Sequence, residues 1–357
     1  EASIYVNGAI QANGTSQEGI LISMNPDVEQ ASWGGISFQY TDTVAVLKYV
    51  SFEHASKGSD PLLEKAVLSA FHADLELDHV SLENINGNPI IARYSSIRLT
   101  NSRLRSKLSG DLINVKYGKA FIENCQFTGN NESDADAIDY DEIENGVIRN
   151  SQISNFFGSN SDAIDIGEKA SNILIDSVTM YNIRDKGISL GQRSSATIQN
   201  SVFINCTNGI AVKDSSYASI NSCVFYGNVD AVACFEKNPG SAGGNAIVRN
   251  SILSNASETP FYVDSKSTLI SRYCQTDKLS DSSSLTNIIG NPQFENPSFY
   301  NFNLLDQSPA ILSGVENGKP INIGTLTQTT SLKPCVMIYQ IFVNPDSLDL
   351  PEFITLY

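Results

Sequence analysis

Short β-rich phrases recur along this chain at intervals of a little over twenty residues. Two acidic phrases, SDADAIDYD at Ser133–Asp141 and NSDAIDIGE at Asn160–Glu168, share the letters DAID at positions 26 residues apart. A second phrase recurs at Asn145–Ile153, Ser171–Met180, Ser195–Phe203, Tyr217–Phe225 and Asn245–Leu253. A period of this length with short strand-like units is typical of a solenoid, in which each repeat is one coil stacked on the last. The repeat therefore predicts an all-β fold, a single-stranded parallel β-helix.

One polar position per coil supports this prediction and gives the coil length. Successive members are separated by 22 to 28 residues and are Asp78, Asn101, Asn124, Asn150, Asp176, Asn200, Ser222 and Asn250. We expect these side chains to stack at an inward turn, where amides form hydrogen-bonded ladders that satisfy the backbone. The flanking apolar residues alternate with polar ones, as in half-buried strands.

The two ends of the repeat set the expected domain boundaries. Upstream, Ile4–Ser23, Trp33–Gln39 and Ala45–Ala55 are interpreted as the first coils, and Gly58–Pro61 as part of a loop. Downstream, Ser254–Leu285 is Ser-rich, and we expect it to lose the repeat and cover the end of the stack.

Composition narrows the possible partners. The net charge is −16, with 39 acidic and 23 basic residues, so a nucleic-acid partner is not expected. No apolar run approaches the roughly 20 residues that a membrane span needs. The six cysteines show no CxxC spacing and are interpreted as apolar stacking residues. The chain begins at Glu1 without Met, so we expect it to be a processed part of a longer precursor.

Aligning the coils on one buried apolar residue produces a grid of charged side chains. The aligned residues are Ile113, Ile138, Ile164, Ile188, Ile210 and Val232. Two positions earlier stand Asp111, Asp136, Asp162, Lys186, Asn208 and Asp230. One position later stand Asn114, Asp139, Asp165, Ser189, Ala211 and Ala233, and three positions later Lys116, Asp141, Gly167, Gly191, Lys213 and Phe235. The two later positions should face outward, with neighbouring coils about 4.8 Å apart.

Carboxylates this close repel one another unless something compensates their charge. One possibility is a bound Ca²⁺, which prefers six to eight hard oxygen ligands; its candidate ligands are Asp136, Asp139, Asp141, Asp162 and Asp165. Another is pairing with the bordering cations Lys116, Lys186, Arg193 and Lys213. A third is protonation of one carboxyl group. The sequence leaves all three open.

Two segments carry a resemblance to known families. The coils, together with the closing phrase GNPQFENPSFYNFNLLDQSPAI at Gly290–Ile311, resemble the right-handed parallel β-helix of the pectate-lyase-like superfamily. Asn291 stands where that closing motif usually has Asp. The segment Val336–Tyr357 resembles the first strands of a bacterial lamin-tail domain, with Gln340 in place of the usual Glu. The resemblance implies a right-handed β-helix over residues 1–315, a linker over 316–335 and a truncated lamin-tail-like domain over 336–357.

The resemblance also implies a function. Lyases of this superfamily use Ca²⁺ on an Asp cluster and a Lys or Arg base to cleave anionic polysaccharides by β-elimination. Here Lys186 would be the base, Arg193 would orient a substrate carboxylate, and Lys116 and Lys213 would bind substrate. We expect a secreted or cell-surface bacterial protein whose partner is an anionic polysaccharide or surface glycan.

Other functions remain as alternatives. The β-helix could instead be a non-catalytic structural or adhesive module of a large surface protein, stiffened by Ca²⁺. The signatures of polygalacturonase-type hydrolases are absent from the sequence. His54, His72 and His79 all lie in early coils away from the grid, which argues against His-based chemistry.

Overall fold

A computed structural model describes residues 2–25, 27, 32–105, 107–278 and 286–325. Strands β1–β30 form one large sheet whose pairings are all parallel, and β31–β32 and β33–β34 form two small antiparallel pairs. The strands are β1 Ile4–Val6, β2 Gln11–Asn13, β3 Ile20–Ile22, β4 Ile36–Lys48, β5 Val50–Glu53, β6 Leu68–Asp78, β7 Ser81–Asn84, β8 Ile90–Arg93, β9 Ser96–Thr100, β10 Arg103–Arg105, β11 Ile113–Lys116, β12 Lys119–Glu123, β13 Gln126–Thr128, β14 Ile138–Asp141, β15 Val147–Arg149, β16 Gln152–Phe156, β17 Ile164–Gly167, β18 Ile173–Asp176, β19 Thr179–Leu190, β20 Ser195–Gln199, β21 Val202–Lys213, β22 Tyr217–Asn221, β23 Val224–Tyr226, β24 Asp230–Phe235, β25 Asn245–Arg249, β26 Ile252–Ser254, β27 Thr259–Val263, β28 Thr268–Arg272, β29 Gln275–Thr276, β30 Ile288–Ile289, β31 Phe294–Asn296, β32 Asn301–Leu304, β33 Gly314–Glu316 and β34 Lys319–Ile321. A short 3₁₀ helix spans Pro297–Phe299.

The coils stack in the register that the sequence predicts. Ile138 of β14 pairs with Ile113 of β11 on one side and with Ile164 of β17 on the other. The same column continues through Ile188, Ile210 and Val232. Each pairing is parallel and joins one coil to the next, as a single-stranded parallel β-helix requires.

The core is a continuous column of inward-facing apolar side chains. Because successive strand residues point to opposite faces, every second residue of a strand such as Ile138–Asp141 is buried and the others are partly exposed. Phe203 and Phe225 stack on adjacent coils with ring centroids 4.7 Å apart. Tyr140 packs in this core, as predicted, and its hydroxyl is buried.

The predicted polar turn column exists, but several of its side chains lie on the outside of the corner, whereas Ser222 and Asn250 are buried. Asn101, Asn124 and Asn150 have positive φ angles near 50°, and their side chains are exposed. A left-handed residue reverses the chain at the corner, so the following residue is the one that points inward. Two predicted members, Asp78 and Asp176, are shifted by one residue, because the register pairs them with Thr100 and Arg149.

The inward position after the corner is filled by Ser, Cys and Val. The hydroxyl oxygens of Ser102, Ser151, Ser201 and Ser251 each accept a backbone N–H bond from the preceding coil, at 2.9–3.2 Å. Cys125, Cys223 and Cys274 occupy the same column and, like Cys206 and Cys234, are buried and unpaired. These five cysteines are therefore apolar stacking residues, as predicted; Cys335 lies outside the described residues.

The expected loss of the repeat after Ser254 is wrong. Strands β27, β28 and β29 pair in parallel with the preceding coil and extend the helix to Thr276. The amino-acid sequences of these strands differ from those of the earlier repeats. Parallel stacking, however, requires only that buried and exposed residues alternate. Most of Ser254–Leu285 therefore belongs to the β-helix itself, and 279–285 lies outside the described residues.

Residues 286–325 fold back over the outer surface of the last coils. Phe294, Phe302, Ala310 and Ile323 form a second apolar cluster with outward residues of β21, β23 and β26, namely Val202, Ile204, Val224 and Ile252. The first part of the predicted linker is included in this tail, as the hairpin β33–β34.

Two further sequence predictions concern the C-terminal segment and membrane crossing. The lamin-tail-like segment 336–357 lies outside the described residues. Within the part of the chain that the structure describes, no helix has the length and apolar character that a membrane crossing requires.

Candidate functional site

The charged residues of the grid lie together on one outer surface of the helix, which we call the site face. It is formed by β11, β14, β17 and the C-terminal ends of β19 and β21. The register places Asp139 directly between Asn114 and Asp165, and Asp141 between Lys116 and Gly167. All five aspartates predicted as metal ligands are thus within two adjacent coils of the stack.

A first column of aspartates precedes these strands and forms hydrogen bonds along the stack. Asp111 Oδ1 accepts the N–H of Asp136 at 3.3 Å, and Asp136 Oδ1 accepts the N–H of Asp162 at 2.6 Å. Asp162 Oδ1 accepts the N–H of Lys186 at 2.9 Å. Each carboxyl group therefore satisfies a backbone donor of the next coil, and we call this column the carboxyl ladder.

Asn114 connects the ladder to the second column. Its Nδ2 donates to Asp111 Oδ2 at 2.8 Å and also to Asp139 Oδ2. Its Oδ1 is buried and has no hydrogen-bond partner among the described residues. An unsatisfied oxygen beside carboxyl groups is a position where a cation or a water would lower the energy.

The environment raises the pKa of most of these carboxyl groups. Burial, followed by repulsion from Asp162 and Asp111, raises the pKa of Asp136 to about 10. Burial and the charges of Asp111 and Asp141 raise the pKa of Asp139 to about 9. Asp162 is raised less, to a pKa of about 6, because the Lys186 charge opposes the effect of burial. In the absence of a cation, the site face therefore retains protons at neutral pH.

Lys186 follows Asp162 in the column of the carboxyl ladder and places a positive charge beside it. Its Nζ lies 3.4 Å from Asp162 Oδ1 and 2.5 Å from Asp185 Oδ2. Burial alone would lower its pKa, but the charge of Asp162 and the hydrogen bond to Asp185 leave the pKa raised. Its ammonium group is therefore held in the protonated form.

Lys213, one coil further, has the opposite environment. It is 4% exposed, and its Nζ donates to Ser189 Oγ at 2.7 Å. No ion pair joins it to a carboxylate among the described residues. Burial lowers the pKa of Lys213; the charge of Asp165 opposes this effect, and the charge of Lys186 adds to it. Its side chain lies over Gly191, where a Cβ would be 3.6 Å from Lys213 Cε.

Lys116 and Arg193 are placed at the edge of the site face. Lys116 Nζ contacts Glu168 and lies 3.7 Å from Asp141 and 3.9 Å from Glu142, and the hydrogen bond to Glu168 raises its pKa. Arg193 lies in an exposed turn at a φ of 71°. It faces a cavity of about 310 Å³ that is also lined by Glu142, Glu168, Lys169, Gln192, Asp214 and Ser241.

One charged residue of the site face was missed from the sequence. Arg93 of β8 pairs with Lys116, and its Nη1 donates to the carbonyl oxygens of Ala92 and Asn114 at 2.9 and 3.3 Å. Its charge faces Asp139, Asp141 and Asp111. Extending the grid one coil upstream, from Ile113 to Ile90, would have found it.

We tested whether the site face has the geometry of a calcium site. The donor chemistry suits Ca²⁺, because carboxylate and amide oxygens are its preferred ligands. Among the described residues, however, no three His, Cys, Asp or Glu side chains converge in a group that could hold a metal ion. Several of the oxygens are instead engaged by backbone N–H groups. The residues present do not form a ready-made metal site, and no step below is routed through a cation.

Comparison with known proteins agrees with the architecture. The family model described as right handed beta helix region matches residues 132–309. The predicted right-handed parallel β-helix is thereby confirmed. No relative was found among curated protein sequences.

Several solved structures are similar to this chain. Pectate lyase Pel9A has 13% identity and a TM-score of 0.49, covering 91% of this chain and 88% of its own. An alginate lyase from Paenibacillus sp. str. FPU-7 has 13% identity and a TM-score of 0.42, covering 72% and 91%. The catalytic domain of a GH87 alpha-1,3-glucanase has 10% identity and a TM-score of 0.43, covering 75% and 62%. At these identities and scores, none of them indicates which reaction this chain performs.

Proposed function

We propose that this protein acts outside the cell on an anionic polysaccharide and cleaves it by β-elimination at the site face. The observation that carries the proposal is the buried amine of Lys213, whose pKa is lowered, next to the protonated Lys186. A buried amine with a lowered pKa, close to fixed positive charge, suits the removal of a proton α to a carboxylate.

Lys213 is a better base than Lys186, which the sequence alone favoured. A base must be unprotonated near the working pH, and a lysine reaches that state when burial lowers its pKa. Lys186 is paired with two carboxylates and remains charged. We assign Lys186 the role of holding Asp162 and of supplying positive charge beside the reacting sugar.

The proposed step balances across the substrate, Lys213 and one water molecule, whose hydroxide finally takes the proton that Lys213 has accepted. The Lys213 amine takes the proton beside the uronate carboxylate, and the electrons of that C–H bond form a carbon–carbon double bond. The bond to the neighbouring glycosidic oxygen breaks at the same time, and that oxygen takes a proton from water. Arg193 and Lys169 border the adjacent cavity and would bind a substrate carboxylate, as guanidinium and ammonium groups do.

Lys116 has a different role in this proposal. Its three carboxylate neighbours already neutralise it, so its main effect is to compensate the charge of Asp141 and Glu168. Arg93 compensates Asp139 and Asp111 in the same way. Substrate binding by Lys116 would require it to leave these partners.

A calcium ion on the site face remains part of the proposal. Its candidate ligands are Asp136, Asp139, Asp141, Asp162 and Asp165, and its proposed role is to compensate the mutual repulsion of these carboxylates. The unpartnered Asn114 Oδ1 supports an additional ligand at this position. The test is isothermal titration of CaCl₂ into wild type and into the variant Asp139→Asn with Asp165→Asn. Heat of binding in the wild type alone supports the site, whereas no heat in either rejects it.

The reaction is tested on a panel of pectate, alginate and glycosaminoglycans. The ultraviolet absorbance of unsaturated uronate should rise for one polymer class with wild type and stay flat with Lys213→Met. A polymer that is bound but not cleaved would contradict the lyase and favour the adhesive or structural module.

A further inference from the structure

Four aromatic rings stack on successive coils beside the site face. We call Tyr40, His72, Tyr94 and Tyr117 the aromatic rim. The centroids of Tyr40 and His72 are 5.6 Å apart, those of His72 and Tyr94 4.8 Å, and those of Tyr94 and Tyr117 4.7 Å. The planes of neighbouring rings are within 14° of parallel. The rim is therefore one continuous strip along the helix axis.

The rim is exposed although its backbone conformation disfavours large side chains. Tyr40, Tyr94 and Tyr117 are 67%, 48% and 40% exposed. All four residues have left-handed φ angles between 47° and 59°. Asn or Gly adopts this conformation more readily than a bulky residue does. Stacking offsets part of that cost, but it requires neither the exposure nor the tyrosine hydroxyl groups.

The hydroxyl groups point to a polar partner. Within the described part of the chain, the hydroxyls of Tyr40 and Tyr94 have no hydrogen-bond partner. The stack covers both faces of His72 and Tyr94, and Phe71 packs edge-on against Tyr40, His72 and Tyr94. A partner would therefore meet the remaining ring edges and the hydroxyl groups. Sugars present hydroxyl groups and C–H groups that match such a surface.

The rim leads directly into the proposed active site. The same left-handed turn position continues, on the next coils, through Glu142, Glu168, Gln192 and Asp214, which line the cavity beside Arg193. Lys116 Nζ lies 5.2 Å from the centroid of Tyr117 and contacts Glu168 of that cavity. The rim and the cavity are thus neighbouring parts of one groove edge.

We propose that the aromatic rim binds the part of the polysaccharide that extends beyond the reacting sugar, toward the N-terminal coils. This inference rests on the proposed function, because it takes the same polymer as ligand. The four rings span three coil steps, roughly 14 Å, so only an extended chain would reach them from the cavity. A strip one residue wide, bordered by Arg93 and Lys116, is too narrow and too charged for a hydrophobic protein interface.

The test measures how affinity depends on oligosaccharide length. Oligogalacturonates and oligomannuronates from dimer to octamer are titrated calorimetrically into protein carrying Lys213→Met, which prevents turnover. With Tyr94→Ala added, we expect about a tenfold loss of affinity for the longest oligomers and none for the dimer. With Tyr94→Phe, which keeps the stack but removes the hydroxyl, we expect a smaller loss confined to the same oligomers.

The chain offers a matched control in a second aromatic pair. Tyr49 and His79 stack at 4.3 Å, also with left-handed backbone, but on a different corner of the coil. His79 Nδ1 is already engaged by Asp78 at 3.1 Å. Tyr49→Ala should lower the melting temperature about as much as Tyr94→Ala does and leave every affinity unchanged.

Three outcomes would overturn the inference. They are equal losses at all lengths, no loss with Tyr94→Ala, or no binding of any oligomer to the parent protein. If polymer cleavage by wild type persists in any of these cases, the proposed function stands and only the rim assignment fails. Sedimentation that shows Tyr94→Ala converting a dimer into a monomer would instead identify the rim as an interface between copies.

Discussion

Lys186 and Lys213 are buried on neighbouring coils of the same face, yet their surroundings shift their pKa values in opposite directions. Two carboxylates hold the Lys186 ammonium, whereas Lys213 donates to a serine hydroxyl, and burial lowers its pKa against the opposing charge of Asp165. The difference comes from the register, which aligns Lys186 with the carboxyl ladder and Lys213 with Gly191. The neighbours that the register places beside each lysine therefore decide the direction of its pKa shift.

Exchanging each lysine for methionine separates the two roles. Lys213→Met removes the proposed base and should lower kcat at least about 100-fold with little loss of stability. Lys186→Met leaves Asp162 without its partner and should lower the free energy of unfolding by roughly 3–5 kcal/mol. Steady-state kinetics and urea unfolding of both variants check this. A larger loss of kcat in Lys186→Met, measured on the folded fraction, would assign the base to Lys186.

The pH dependence of turnover adds an independent test. The rate should rise with pH as Lys213 loses its proton, with a midpoint below the ordinary lysine pKa because burial lowers it. The Lys186 charge contributes to that lowering, so removing it should raise the pKa of Lys213 and shift the limb to higher pH. Profiles of kcat against pH for wild type and Lys186→Met measure the shift. An unchanged midpoint would contradict the coupling.

At the scale of the strand, the carboxyl ladder is also a structural element. Asp111, Asp136 and Asp162 each accept a backbone N–H from the next coil, so the ladder supports the segments that enter β14 and β17 and the part of β19 around Lys186. Asn can accept the same bond without a charge. An Asp→Asn change in the ladder therefore tests charge separately from hydrogen bonding.

The raised pKa values of Asp136 and Asp139 predict how stability changes with pH. Between the ordinary Asp pKa and about pH 9, the folded state holds protons that the unfolded state has lost. Stability should therefore fall as pH rises through this window, because the folded state binds more protons. Urea unfolding in EDTA should show this fall, and Asp136→Asn should flatten it. A stability that rises over the same window in EDTA would contradict the burial of these groups.

The sequence predicts the positions of the site residues better than it predicts their burial and their side-chain contacts. The repeated DAID letters determine the register, so the positions of Asp136, Asp139, Asp162 and Asp165 could be predicted. The choice between Lys186 and Lys213 could not, because it depends on burial and on which atoms a flexible side chain reaches. Arg93 was missed because its coil carries no acidic phrase that resembles the repeat.

At the scale of the whole molecule, the tail 286–325 ties the last coils together from outside. Phe294 and Phe302 pack against Val224 and Ile252, residues that would otherwise leave apolar side chains on the outer surface. The coils continue through β27–β29 although their amino-acid sequence differs from the earlier repeats, because stacking needs only alternating burial. The recurring sequence phrases therefore underestimate the length of the β-helix.

Truncating a tail aromatic tests this role. Phe302→Ala should lower the free energy of unfolding by about 3 kcal/mol, because the ring is buried among the apolar side chains of that cluster. The tail packs on Val202 and Ile204 at the start of β21, whereas the site face uses the C-terminal end of that strand, so turnover at a permissive temperature should be unchanged. Thermal melts and proteolysis of the C-terminal coils measure the effect. A variant with unchanged stability would indicate that the tail only rests on the helix.

The measurement that tests the central claim most directly is digestion of the polysaccharide panel in heavy-oxygen water, with the products analysed by mass spectrometry. β-Elimination at the Lys213 site predicts oligosaccharides with an unsaturated end and no heavy oxygen at the cleaved bond. Saturated products that carry heavy oxygen would show hydrolysis by the aspartates instead and would contradict the account.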